Sequence, residues 1–416
     1  MWSNKSLFCI SFTSLKSLDH IGNLPAIVDN VDKFIMGYEN KELSEPLLID
    51  GAYILQRNCR QMSNQGYKVE PLYTESDVYR MLSKTSTYEE DVIHELNEYV
   101  SFRFLPNNHI VGATSIELFF KMPSGVTKKI YYSGDTGSFN NQQPFRKKTK
   151  TISNANLVIT EATYSDLSRG FNAKDIEKER KKMKDDIINE LKQGHSILIP
   201  AFAQARTQDL LYYLYNTFSN DPNFKTPIFL DGKLSLEIND VYKQILNKED
   251  KDMFEKILSW EKLHFVKDFE SSMNLALNKE QQKIVISSAG MCNIGRILNH
   301  LKANIEDSNY TIMIIGYCAP TTVGGLLLKD NTKEVKIENM SFKKKAKVIR
   351  YNTWSSHIQG EEIIKMMKSI NTNLIVIHHS DDSKYKFRDK MEEELRKSNK
   401  TTKIICADKD NSIFFI

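Results

Sequence analysis

Five side chains able to share a metal ion are spread along the sequence. Asp19 and His20 lie in Leu18-Asp19-His20-Ile21-Gly22-Asn23-Leu24-Pro25, and His109 in His109-Ile110-Val111-Gly112-Ala113. Asp135 lies in Tyr132-Ser133-Gly134-Asp135-Thr136-Gly137 and His357 in Asn352-Thr353-Trp354-Ser355-Ser356-His357. Singly, each has a plain explanation. An Asp-His pair is usually a surface or cap pair, an Asp between glycines an Asx-type turn, and a loop histidine an exposed one. Together they form a set of N and O donors that Zn2+ accepts, one carboxylate of which could bridge two ions. Two such ions activate a water and clamp a transferring phosphoryl group. Each residue adjoins a segment that reads as a strand end, and Asp135 is expected on exposed backbone there.

The elements that must position these residues alternate between strands and helices. Ile116–Phe120, the turn Pro123-Ser124-Gly125 and Lys129–Tyr132 read as a hairpin. Leu157–Thr160 reads as a buried strand. Ile176, Met183, Ile187 and Leu191 then form one apolar stripe on a charged background, closed by Gly194, which predicts an amphipathic helix. His195–Pro200 reads as a strand and Thr207–Phe218 as a helix. Further strands are expected at Ile228–Leu230, Lys283–Ile286, Thr311–Ile315 and Leu374–Ile377, and one at the LFCISF segment near the N-terminus. This alternation belongs to α/β layered folds with parallel or mixed sheets.

With 416 residues the chain is too long for one ordinary domain, so two domains or one large insertion are expected. Lys+Arg 57 against Asp+Glu 53 leaves +4, which excludes a polycation but allows a local basic groove. The basic runs Arg146–Lys150 and Lys343–Lys347 are candidates for such a groove, although such runs are more often plain solvated surface. Five cysteines without a Cys-x-x-Cys pair argue against a disulfide framework or a Cys-rich zinc module. No apolar run is long enough to cross a bilayer and no signal peptide is evident, so a cytoplasmic protein is expected.

Further blocks resemble those of a known family. Gly134-Asp135-Thr136-Gly137 after a strand, preceded by the His109 segment, resembles the metallo-β-lactamase superfamily. Glu161-Ala162-Thr163-Tyr164-Ser165-Asp166 resembles the E-S-T-Y-G-[DN] block of its β-CASP nucleases. Ile199-Pro200-Ala201-Phe202-Ala203-Gln204-Ala205-Arg206-Thr207-Gln208-Asp209-Leu210 resembles their I-P-A-F-A-x-G-R-x-Q-E-L. Leu230–Leu234 resembles L-D-S-P-L, and Ser287–Cys292 with Gly295-Arg296 resembles S-S-G-M followed by G-G-R. Gly316-Tyr317, Ser356-His357 and Ile377-His378-His379-Ser380 match later blocks in order. The nearest likeness is to prokaryotic relatives of the cleavage/polyadenylation endonuclease. The resemblance implies a four-layer αββα metallo-β-lactamase sandwich, about residues 1–165 and 318–416, with an inserted α/β β-CASP domain at about 166–317. It implies a zinc-dependent ribonuclease, exonucleolytic, endonucleolytic or both. Asp19, Asp135, Glu161 and His379 would then be catalytic, and Asp19, His20, His109, Asp135 and His357 metal ligands. Arg206, Ser288, Gly290, Met291 and Arg296 would meet phosphate. Single-stranded RNA is the expected partner ahead of DNA, no membrane is involved, and a homodimer is left open.

Two departures qualify the expectation. Aligned on Asp19-His20, the first two histidines of the family's H-x-H-x-D-H fall on Leu15 and Ser17, which are no substitute for imidazoles. The family places those two histidines, with the His109 and Asp135 equivalents, on one ion. Asp19, His20, Asp135 and His357 complete the other, so one zinc or a weakened pair is expected. The family's first strands are also missing ahead of Asp19. The chain is thus either a natural variant, including a catalytically silent RNA-binding scaffold, or a truncated or frame-shifted copy of such a nuclease. After Gly316-Tyr317-Cys318, Leu326 stands where RNA-cutting eukaryotic members carry a histidine.

Overall fold

The computed structural model describes residues 8–10, 21–141, 143–380 and 382–407. Leu15, Ser17, Asp19 and His20 lie outside the described residues. The chain forms two compact units, residues 1–172 with 356–416 and residues 173–355.

The first unit is built on a mixed sheet of seven strands. Their order is Lys403–Cys406, Asn371–Ser380, Asn154–Ala162, Thr127–Tyr132, Thr114–Lys121, Val100–Pro106, His94–Glu95. The first four run parallel and the hairpin side is antiparallel. A smaller parallel sheet, Phe8–Ile10, Lys33–Met36 and Thr85–Thr87, stands beside it. Ile35 of that sheet packs on Phe102, Phe104 and Ile116, which joins the two sheets face to face. The outer face of the larger sheet buries Val158, Ile375 and Ile377 against two helices. Gly360–Ser369 contributes Ile363 and Met367, and Lys384–Lys397 contributes Phe387, Met391 and Leu395. The helix Tyr38–Asn64 packs with the smaller sheet and Glu75–Ser83 packs on that helix, completing helix, sheet, sheet, helix. The expected hairpin is present, with Ile116 opposite Tyr132.

The second unit is built on a sheet of six strands, all parallel: Leu263–Val266, Ile228–Asp231, Ile284–Ser287, Ser196–Pro200, Tyr310–Ile315, Lys347–Tyr351. Parallel strands with crossover helices are buried on both faces, and Ser196–Pro200 and Ile284–Ser287 are buried at every position. The stripe helix spans Ala173–Lys192 with Met183 and Ile187 fully buried, and it ends before Gly194 at φ 83°. Residues 318–355, which the sequence assigned to the returning part of the first domain, belong here. Lys347–Tyr351 pairs with Tyr310–Ile315, and the hairpin Glu334–Ile337 with Met340–Lys343 packs on the same core. No helix among the described residues is long and apolar enough to cross a membrane.

Candidate metal centre

His109, Asp135 and His357 converge in the first unit from segments far apart in sequence. Each offers one ligand atom, and these atoms lie within 4.8 Å of one another; Asp135, Glu161 and His379 form an overlapping set. His109 Nε2 is 3.9 Å from Asp135 Oδ2, and His379 Nδ1 is 3.6 Å from Asp135 Oδ1. The His109 and His357 rings are 4.5 Å apart. Asp135 is 2% exposed, so the expectation of exposed backbone is corrected. The reason is the packing of two loops over it.

Those loops meet at Gly137. A Cβ there would lie 2.1 Å from the Asn108 carbonyl oxygen, so only glycine allows the approach. Asn107 stitches the same loops: its amide donates to the Asp135 and Ser133 carbonyls at 2.9 and 3.2 Å, and its Oδ1 accepts from the His109 N–H at 3.2 Å. The third segment docks as a short strand-like bridge, Gly137 opposite His357, with the Ile358 N–H donating to the Thr136 carbonyl at 2.8 Å. The helix Gly360–Ser369 follows at once. Its capping residue Gln359 donates to the His357 carbonyl at 3.0 Å, and Glu362 accepts from the Asn140 N–H at 2.9 Å. The apolar face of that helix therefore anchors His357.

Glu161 orients the set. One oxygen accepts the Thr136 N–H at 2.5 Å, and the other lies 2.8 Å from His357 Nδ1 and accepts the Thr163 hydroxyl at 2.6 Å. A carboxylate facing Nδ1 selects the tautomer that leaves Nε2 free to bind a metal. Thr163 Oγ1 is also 3.0 Å from His379 Nδ1. His379 turns toward Asp135 because the strand Asn371–Ser380 shifts register against Asn154–Ala162 between Ile377 and Ser380, with His379 at φ 52°. Burial, with the Asp135 and Glu161 charges nearby, pushes the Tyr132 phenol up to about 12, so it stays protonated. Thr136 and Thr163 lie inside matched blocks but were not singled out, whereas Asn107 and Glu362 carried no sequence signal beyond their place near such blocks.

Residues 207–327 match the family described as Beta-Casp domain. The chain is thus similar to the β-CASP nucleases of the metallo-β-lactamase superfamily. Among its relatives, the protein named "Probable RNase MJ4" of Methanocaldococcus jannaschii is 26% identical over 89% of this chain and 81% of its own length. "RNase aCSPSF2" of Saccharolobus solfataricus is 25% identical over 69% of this chain, which spans about half (54%) of that relative. "Cleavage and polyadenylation specificity factor subunit 3-II" of Arabidopsis thaliana is 23% identical over 94% of this chain and 61% of that one.

The phosphate candidates lie in the second unit. Arg206 follows the strand Ser196–Pro200, and Ser288, Gly290, Met291 and Arg296 follow Ile284–Ser287, at the same edge of the parallel sheet. Gly290 lies against Phe202. Arg296 is already committed: Nη1 donates to Asp231 Oδ1 at 2.8 Å and to the Val266 carbonyl at 3.0 Å, and Nη2 to the Lys267 carbonyl at 3.0 Å. The basic runs are largely paired too. Lys347 binds Glu190, Lys344 reaches two carbonyls, Lys147 binds Glu39 and Glu90, Lys150 binds Asp91, and the buried Arg146 donates to Ser356.

Proposed function

We propose that the chain is a metal-dependent phosphodiesterase that cuts RNA, exonucleolytically, endonucleolytically or both. The first unit would be its metallo-β-lactamase domain and the second its β-CASP domain. The observation that carries this reading is the convergence of His109, Asp135 and His357 within 4.8 Å in a chain of this family. Two buried imidazoles and one buried carboxylate suit zinc. Bound there, the ion would act as a Lewis acid and lower the pKa of a water. The chain's residues supply the rest. Asp135 offers one oxygen toward His109 and the other toward His379. Glu161 holds the His357 tautomer. His379, 39% exposed at its side chain, is suited to carry a proton at a substrate oxygen.

Asp19 and His20 remain proposed ligands on the sequence alone, and Arg206, Ser288, Gly290 and Met291 proposed phosphate contacts. RNA as substrate is supported by the names of the relatives. Leu15 and Ser17 favour fewer than two zinc ions per molecule, and they also favour a second reading, a silent RNA-binding scaffold. The test is metal content of purified protein together with cleavage of single-stranded RNA, for the native chain and Asp135→Ala. The nuclease reading expects bound metal and cleavage that the substitution removes. RNA binding without cleavage at any zinc concentration would establish the scaffold instead.

A further inference from the structure

We infer that Arg180, held flat on Trp354 beside Arg206, is a phosphate-binding residue of the second unit. The source of the phosphate rests on the RNA reading above; the site rests on its own geometry. The Arg180 guanidinium carbon lies 3.4 Å from the Trp354 ring centroid and 5.9 Å from that of Tyr213. The two rings meet edge to face at 5.4 Å and 89°. Their supports are rigid. Trp354 is 1% exposed. The turn before it is pinned by Glu179, whose oxygens accept from the Asn352 N–H at 2.8 Å and from the Thr353 N–H and hydroxyl at 2.6 Å each. The Tyr213 hydroxyl donates to the Arg180 carbonyl at 2.6 Å.

This cradle fixes the plane of the guanidinium without using its N–H groups. Among the described residues no hydrogen bond or ion pair engages the Arg180 guanidinium, and its Nη1 is buried. The neighbouring Trp354 Nε1 is also buried without a hydrogen-bond partner. Both groups only donate, so the arrangement lacks an acceptor. Charge points the same way. Burial, and next the charge of Arg206, hold the Arg180 guanidinium down to about 10, while Asp209, Tyr213 and Glu179 oppose this. The Glu179 oxygens already serve the turn at 352–353. Two neighbouring guanidiniums beside an unpartnered indole N–H suit a tetrahedral oxyanion, which a planar fork meets with two parallel bonds.

The position fits as well. Arg206 follows Ser196–Pro200, Gly316 follows Tyr310–Ile315 and Trp354 follows Lys347–Tyr351, three adjacent strands of the parallel sheet. A Cβ on Gly316 would lie 3.8 Å from Arg206 Nη2, so its bare backbone adjoins the same charge. Ligands of open α/β sheets bind at this carboxyl edge.

The experiment uses the full chain, Arg180→Gln and Arg180→Lys. Thermal unfolding is followed with inorganic phosphate against chloride at equal ionic strength, and single-stranded RNA binding is followed across salt concentrations. Phosphate is expected to raise the native midpoint, to do so weakly in Arg180→Lys and not at all in Arg180→Gln. The slope of log affinity against log salt should fall by about 0.7 in Arg180→Gln, one phosphate contact on a single strand, with metal content unchanged. If phosphate shifts all three proteins alike, or none, the site is overturned and Arg180 is a packing residue; an RNA slope unchanged in Arg180→Gln overturns its contact with RNA. A phosphate response confined to the native chain, with no RNA binding by any of the three, supports the site for free phosphate and sinks only the RNA reading. Should Arg180→Gln not fold, Arg180→Lys decides, since it keeps the charge and loses the fork.

Discussion

The two units hold their buried polar groups by different means. In the first unit, His109, Asp135 and His357 bring their ligand atoms within 4.8 Å of one another, and Glu161 and backbone groups orient them. In the second, Asp231 lies at the centre of a closed network. Its carboxylate accepts from Ser272 at 2.5 Å and Arg296 at 2.8 Å and sits 2.6 Å from His300 Nε2, while the Ser287 hydroxyl donates to its carbonyl at 2.8 Å. Every oxygen of Asp231 is occupied, and it is 0% exposed. The same residue types thus make a candidate reactive centre when their donor atoms converge on one point, and a structural clamp when they satisfy one another.

That contrast predicts separable defects. Asp135→Ala should reduce RNA cleavage to background and lower metal content, while circular dichroism and RNA affinity stay near native; loss of folding instead would place Asp135 among the clamps. Asp231→Asn should do the reverse. Removing one partner of a buried, hydrogen-bonded charge costs about 3–5 kcal/mol. Urea unfolding followed by tryptophan fluorescence measures it, since Trp260 and Trp354 both lie in the second unit. Metal content should not change. Burial alone would raise the Asp231 carboxyl, but hydrogen bonds from His300, Ser272 and Arg296 outweigh it and hold it below the ordinary range. A depressed folded pKa contributes stability above the unfolded carboxyl value, lost as pH falls through the folded one. Acid unfolding of the second unit should therefore be less steep in Asp231→Asn than in the native chain.

Smaller effects sharpen the comparison. Glu161→Gln leaves the fold intact but weakens the orientation of His357, with a loss of about 10–100-fold in metal affinity or activity. A native zinc titration curve for this variant would remove Glu161 from the site. At the edge of the second sheet, Ala205 occupies φ 62°, ψ −64°, with the Arg206 N–H bonded to the Gln204 carbonyl at 2.8 Å. This three-residue turn is strained for any residue with a Cβ, and the related family block carries glycine there. Ala205→Gly should stabilise the second unit by about 1 kcal/mol, strain relief outweighing the added freedom of the unfolded chain. A lower unfolding midpoint would show that the turn is unstrained.

Much of the scaffold was legible because its signals are local. Pro123-Ser124-Gly125 announced the hairpin, and Met183 and Ile187 marked the buried face of the helix closed by Gly194. The candidate set His109, Asp135 and His357 was legible as well, since few residue types bind metal and each stands in a matched block. What the sequence did not carry is how distant groups are used. Arg296 read as a phosphate contact, and its bond to Asp231, 65 residues away, was not visible in the sequence. Asp135 read as exposed, because the loop that covers it comes from Asn107 and Asn108. Asn107 itself shows no periodicity or spacing that separates it from any other loop asparagine. The bulge that turns His379 toward Asp135 is a matter of register between two strands, and register is not written in either strand alone.

The return of the chain to its first unit at Ser356 has a consequence for the newly made protein. His357 is synthesised only after every residue of the second unit has left the ribosome's catalytic centre, and the helix that anchors it comes later still. At about 5–20 residues per second, the His109 and Asp135 loops exist for many seconds without their third partner. A metal centre of this design would stay incomplete until the segment carrying His357 and the helix Gly360–Ser369 have been made.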